Sequence, residues 1–175
     1  SLAFSPRGDV LAAGFYDGRV NLWRVPDMTP IRSLEGHMLT VKDLEFSVDG
    51  QRLASASVDG TIRIWQISDG NIFQTIQPPS GNGIASFERV AFSPDGATVK
   101  AICSDFRHRA IYTWQMSDGA LLNQISLDFF TASAFSPDGS LIALGWQGGL
   151  IGILLGTVGS PVANMNMDLS VSSMN

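Results

Sequence analysis

Apolar and polar residues alternate in short runs along most of the chain, and nearly every run ends at a glycine. Residues 61–67 (Thr-Ile-Arg-Ile-Trp-Gln-Ile) give the cleanest case: β-branched and aromatic side chains take every second place, the pattern of a half-buried β-strand. Residues 52–57 (Arg-Leu-Ala-Ser-Ala-Ser) form a small-residue run suited to sheets that pack face to face. Residues 40–47 alternate more loosely, with Val41, Asp43 and Glu45 set against Lys42, Leu44 and Phe46, and residues 71–76 supply one more strand. Between these runs stand Ser47-Val48-Asp49-Gly50, Val58-Asp59-Gly60 and Ser68-Asp69-Gly70, where glycine supplies the positive φ of a tight turn. The segment thus predicts four antiparallel strands joined by three short turns. No 12-residue amphipathic helical pattern competes with it.

The unit recurs. Phe4-Ser5-Pro6-Arg7-Gly8, Phe46-Ser47-Val48-Asp49-Gly50, Phe92-Ser93-Pro94-Asp95-Gly96 and Phe135-Ser136-Pro137-Asp138-Gly139 begin at steps of 42, 46 and 43 residues. Trp23, Trp65, Trp114 and Leu154 follow their phenylalanines by 19, 19, 22 and 19 residues. Two landmarks held in register four times define a repeat, and a repeat of this length is one supersecondary unit that buries its apolar face only against a neighbour. The repeats run approximately over residues 1–36, 37–80, 81–127 and 128–165, followed by a polar tail, 166–175, expected to fray. The three additional residues of the third repeat are expected in Phe106-Arg107-His108-Arg109.

Composition narrows the function classes. Charged residues make up 15% of the chain and hydrophobic ones 45%, which excludes a disordered chain. The net charge is −5 with no basic stripe, so a nucleic-acid partner is not expected. One cysteine, Cys103, excludes an internal disulfide, and with His37 and His108 as the only histidines a structural zinc site lacks ligands. Cys103 lies on an apolar strand and is expected to be buried and inert. Seven of the 16 acidic residues are the aspartate of an Asp-Gly pair, so nearly half the negative charge is turn chemistry; none has calcium-loop spacing.

The second repeat carries a family signature: Gly36-His37, Leu53-Ala54-Ser55-Ala56-Ser57, Val58-Asp59-Gly60-Thr61 and Ile62-Arg63-Ile64-Trp65. These residues resemble the WD-repeat β-propeller family, and the resemblance extends, weakening, over about 160 residues. The closing Trp-Asp dipeptide is absent, since Arg24, Gln66 and Gln115 follow the tryptophans. The resemblance implies an all-β propeller of four-stranded antiparallel blades, about four of them present. It also implies a hydrogen-bonded structural tetrad, complete only in the second repeat: His37, Ser55 (or Ser57), Asp59 and Trp65. Phrases such as Trp65-Gln66-Ile67-Ser68-Asp69-Gly70 resemble prokaryotic members.

Other residues invite functional readings. Tyr16 precedes the Asp17-Gly18 turn, Trp146 takes the place of Ser57 in its repeat, and Arg107 and His108 lie in a charged insertion; these four are the candidate partner contacts. His37 with Asp59 also reads as an acid–base pair, though no nucleophile motif accompanies it. Asp43, Glu45 and Glu88 are the carboxylates on the innermost strands, where a propeller-fold hydrolase or redox enzyme would keep its chemistry. Residues 141–159 carry no charge and space Gly148, Gly152 and Gly156 four apart, which suits a membrane helix as well as strands; the 19-residue register favours strands.

The resemblance implies closed rings of seven or eight blades, so four leave two faces open. Missing sequence, a second copy or a four-blade ring would cover them, and missing sequence is the expectation. The function expected is a non-catalytic protein–protein interaction scaffold presenting blade-top turns to proteins or peptides. No cofactor, metal or membrane is expected, and the absence of a signal segment weakly favours the cytoplasm.

Overall fold

The structure is a computed structural model describing residues 1–79, 86–104, 109–127, 130–146 and 151–155. Every regular element among them is a β-strand. The first sheet comprises β1 (Leu2–Phe4), β2 (Val10–Gly14), β3 (Val20–Arg24) and β4 (Pro30–Leu34). The second comprises β5 (Val41–Phe46), β6 (Arg52–Ser57), β7 (Ile62–Gln66) and β8 (Ile72–Ile76). The third comprises β9 (Ser86–Phe92), β10 (Thr98–Ser104), β11 (Arg109–Gln115) and β12 (Leu121–Leu127). The fourth shows β13 (Ala132–Phe135), β14 (Leu141–Gly145) and β15 (Ile151–Leu155). Each sheet is an antiparallel meander in chain order.

The landmark spacing has a direct structural cause. Phe46 pairs with Leu53, which pairs with Trp65. The same row recurs as Phe4–Leu11–Trp23, Phe92–Val99–Trp114 and Phe135–Ile142–Leu154. The expected insertion in the third repeat, Phe106-Arg107-His108-Arg109, lies outside the described residues except for Arg109. Ser104 pairs with Arg109 and Cys103 with Ala110, so the β10–β11 hairpin is longer and its added backbone groups are satisfied by pairing. One correction concerns β5. A bulge at Lys42 puts Val41 on the buried face with Leu44 and Phe46, while Asp43 and Glu45 turn to the opposite face.

The turns share one construction. In all seven Asp-Gly pairs the aspartate carboxylate accepts the N–H two residues on, at 2.9–3.1 Å, from Arg19, Gln51, Thr61, Asn71, Ala97, Ala120 and Ser140. Each following glycine has positive φ. The serine of the Phe-Ser motif closes the turn from its other side, its hydroxyl accepting the N–H of Val10, Arg52, Thr98 or Leu141 at 2.9 Å. That hydroxyl donates to Asp49, Asp95 and Asp138 in the later repeats. In the first repeat Arg7 stands in the aspartate's place and Ser5 donates to Asp9 instead.

The sheets stack through three apolar clusters, one at each junction. Val20, Leu22 and Leu34 of the first sheet meet Leu44, Phe46, Leu53 and Trp65 of the second. Ile62, Ile64 and Ile76 meet Phe87, Val90, Phe92 and Trp114 of the third. Ile102 and Ile111 meet Phe130, Ile142 and Leu144 of the fourth. Trp65 and Trp114 therefore each face the preceding sheet. The first strands β1, β5, β9 and β13 all contribute to one cavity of about 550 Å³, the axis of the arrangement.

Two glycines and one lysine tighten the junctions. A Cβ on Gly18 would strike the His37 carbonyl, and one on Gly139 would strike the Phe92 carbonyl, so both turns press onto a neighbouring segment. Lys100, buried on β10, donates from Nζ to the Gly139 carbonyl at 2.9 Å across the third junction. Its register position holds Ala12 and Ala54 in the first two sheets. Burial lowers the pKa of this lysine.

Candidate functional site

Among the described residues, three places gather candidate functional side chains. The first is buried. His37, just ahead of β5, lies between Ser55 on β6 and Asp59 in the β6–β7 turn. Its Nε2 is 2.7 Å from Ser55 Oγ and its Nδ1 is 2.9 Å from Asp59 Oδ2. Trp65 on β7 donates from Nε1 to Ser55 Oγ at 2.8 Å. Indole is a donor only and a carboxylate an acceptor only, which fixes the proton order. Trp65 donates to Ser55, the Ser55 hydroxyl donates to Nε2, and Nδ1–H donates to Asp59. Asp59 also accepts from the Thr61 hydroxyl at 2.7 Å and the Met38 N–H at 3.0 Å. Burial alone would raise the Asp59 pKa; the His37, Thr61 and Met38 hydrogen bonds outweigh it and hold the carboxyl well below the usual range.

The order Ser–His–Asp is also that of a hydrolytic triad, and accessibility decides between the two readings. Ser55 is fully buried, and its oxygen already accepts from Trp65, so no substrate atom has a path to it. The network spans Gly36-His37 and the β6–β7 turn and fixes both. Its uniqueness follows from register: Ala13, Ala101 and Leu144 occupy the Ser55 position in the other sheets. In the third sheet Trp114 stacks on Tyr112 and meets Phe87 edge-on instead.

The second place is the rim above that network. Tyr16 and Met38 are 81% and 80% exposed, with Leu39 beside them about half exposed. Their backbone is nonetheless held. The Thr40 hydroxyl donates to the Tyr16 carbonyl at 3.2 Å, the Val41 N–H to the Phe15 carbonyl at 3.0 Å, and the Met38 N–H to Asp59. The sequence reading named Tyr16 as a candidate contact and did not name Met38 or Leu39. Their signal was two apolar residues placed between the Gly-His pair and the next strand, where a solvated linker is the rule. Trp146 is half-buried and packs against the cluster at the third junction. Arg107 and His108 lie outside the described residues, as do Asp105, Gly148 and the 166–175 tail.

The third place is the axial cavity. Asp43 and Glu45 of β5 line it with Arg89 and Phe92 of β9 and Phe4 of β1. β5 and β9 belong to different sheets, and Asp43 serves the backbone edge of β9, accepting the Val90 N–H at 3.0 Å. Burial raises the Asp43 pKa despite the Val90 bond and the Arg89 guanidinium 3.6 Å away. Burial pushes Glu45 up to about 8, helped by the charge of Asp43. Glu88 accepts from the Ser104 hydroxyl at 3.1 Å. Among the described residues no cluster of His, Cys, Asp and Glu is placed to hold a metal, and no helix is long and apolar enough to cross a membrane. β14 and β15 are strands within the uncharged stretch that also suited a membrane helix. Cys103 is buried.

Comparison with known proteins fits this geometry. Residues 1–24 and 28–66 match the WD40 family model, described as WD domain, G-beta repeat. No curated protein matches the chain. Among solved structures, the β-propeller domain of Cps50 (Swd1) from Myceliophteria thermophila superposes with a TM-score of 0.71 at 20% identity, over 88% of this chain and 50% of that one. The chain thus spans half the length of that propeller. At this identity the likeness concerns the fold.

Proposed function

We propose that this chain, with WD40 repeats matched over residues 1–24 and 28–66 and a propeller fold, is a non-catalytic scaffold that binds protein partners on the rim of its turns. WD40 propellers generally mediate protein–protein interaction. The observation that carries the reading here is the Tyr16–Met38–Leu39 cluster. Large apolar side chains stand in solvent on backbone that the His37–Asp59 network holds rigid. Exposed apolar surface on a fixed frame is what a partner-binding site offers, because little conformational entropy remains to be lost on docking. Tyr16 supplies an aromatic anchor, and Met38 an adaptable one.

The test places a photo-crosslinking residue at position 16 or 38 and, as reference, at Phe73 on the outer strand β8. Adducts with one partner at the rim positions, absent at position 73 and lost in a Tyr16→Ala, Met38→Asp double variant of unchanged circular dichroism, support the reading. Equal labelling at all three positions overturns it.

A hydrolytic reading has one observation in its favour: Glu45 is held protonated near neutrality beside Asp43 in a cavity. Against it, Asp43 and Glu88 are each engaged by a backbone or hydroxyl donor that keeps neighbouring strands in place. Conversion of all three to amides discriminates, since loss of a hydrolase activity with retained folding would favour the enzyme.

A further inference from the structure

The repeat supplies its own control for one residue of the axial cavity. Glu45 pairs with Ala54, and the same register position on the other first strands holds Ala3, Ala91 and Ala134. Alanine therefore satisfies the fold at this place, and the Glu45 carboxyl is an addition to it. A carboxyl taken out of water is destabilising unless something of opposite charge or a hydrogen-bond donor meets it. Beside Glu45 the cavity, about 550 Å³ in volume, is walled by Phe46 and Val48 of the second sheet and Val90 and Phe92 of the third. The charged groups that share it are Asp43 on the same strand, Arg89 on β9 and Asp138 in the turn after β13. β1 and β13 carry no charged side chain. Asp43 already has its cation, since Arg89 stands 3.6 Å away. Glu45 is in no ion pair among the described residues, and the charge that acts on it is Asp43, of the same sign.

We propose that this cavity binds an aliphatic ammonium group, its charge set against the Glu45 carboxylate and its alkyl stem against Val48 and Phe92. The ligand supplies the one charge the cavity lacks, and the apolar wall suits the stem. An ammonium is a compact donor that a single carboxylate meets, whereas Arg89 disfavours a second guanidinium. The observations lie on β5 and β9, in two sheets that pack on each other inside the array. Glu45 is held protonated near neutrality, so pairing requires it to release a proton, and the complex strengthens as the pH rises. The rim plays no part, so either proposal can fail while the other stands.

Titration calorimetry tests it with n-pentylamine, acetyl-lysine amide and the uncharged n-pentanol, each added to the chain at pH 6, 7 and 8. Amine binding is expected, with n-pentanol at least about tenfold weaker at pH 8. Amine affinity should rise about tenfold per pH unit over this range, because only the ionised carboxyl pairs. Glu45→Ala is expected to keep its circular dichroism spectrum, alanine being the residue of the other three sheets. It should weaken the amines about tenfold or more at pH 8 and abolish the pH dependence. Glu45→Gln, closer in shape, repeats the measurement should the alanine variant not fold. Binding of acetyl-lysine amide alone assigns the site to a lysine side chain of a polypeptide, and binding of pentylamine alone to a free amine; either supports the proposal. Equal binding of pentanol, unchanged amine affinity in the Glu45 variants, affinity that falls as the pH rises, or no amine binding at millimolar concentration overturns it.

Discussion

Lys100 donates its ammonium to the carbonyl of Gly139, 2.9 Å away in the next sheet. Alanine holds the same position in the first two sheets, whose junctions are closed by larger apolar clusters. The fourth sheet is thus tied on partly by a charge-assisted bond. Lys100→Ala should cost about 1.5–3 kcal/mol, the range for hydrogen bonds to charged groups. Native-state hydrogen exchange checks it: amides of β13 and β14 should lose protection while those of β6 keep theirs.

Gly139 and Gly96 occupy equivalent turns at similar positive φ, but only Gly139 would meet its neighbour's carbonyl. Each alanine substitution carries the cost of left-handed backbone, about 1–2 kcal/mol. Gly139→Ala should lose more than Gly96→Ala in urea denaturation, and the difference measures the contact between the third and fourth sheets.

Trp65→Phe and Ser55→Ala should each destabilise the chain by about 1–3 kcal/mol, because each leaves a buried polar partner unsatisfied. The double variant should lose clearly less than the two singles together, the behaviour of residues in one network. An additive result, or no shift in the denaturation midpoint of Trp65→Phe, would dissolve the network.

Glu45 gives stability a pH dependence. Its folded pKa is raised from 4.5 to about 8, so between these values the folded chain holds a proton that the unfolded chain has released. Stability from this group is therefore full below about pH 4.5 and falls as the pH rises toward 8. Glu45→Gln should flatten that fall, gaining stability at pH 9 relative to pH 5 when urea midpoints are compared.

The turn aspartates act in the opposite direction. Hydrogen bonds from Ser47, Ser93 and Ser136 and from the N–H groups two residues on hold Asp49, Asp95 and Asp138 below the ordinary carboxylate range, to about 2 for Asp138. Their contribution is present above about pH 3.8 and is lost as the pH falls through the folded values. Ser136→Ala should move the acid-unfolding midpoint of the fourth sheet upward, followed by the exchange of its amides.

Strand identity, turn positions and the fourfold repeat are written locally, because alternation, Asp-Gly pairs and the Phe–Trp spacing each act within one sheet. The His37, Ser55, Asp59 and Trp65 network was named in the sequence only through the family resemblance; its hydrogen bonds all fall within one unit. Register and packing between units decided the rest. A bulge at Lys42 turned Asp43 and Glu45 toward the axis, where Asp43 serves the edge of β9. Ser104 pairs with Arg109, which lengthens the β10–β11 ladder relative to the equivalent hairpin of the second sheet. Lys100 found its acceptor 39 residues away. Leu2 and Leu44 read alike as apolar strand residues, yet only the neighbouring sheet makes one of them core. Burial is a property of what lies opposite, and a single strand does not encode its own cover.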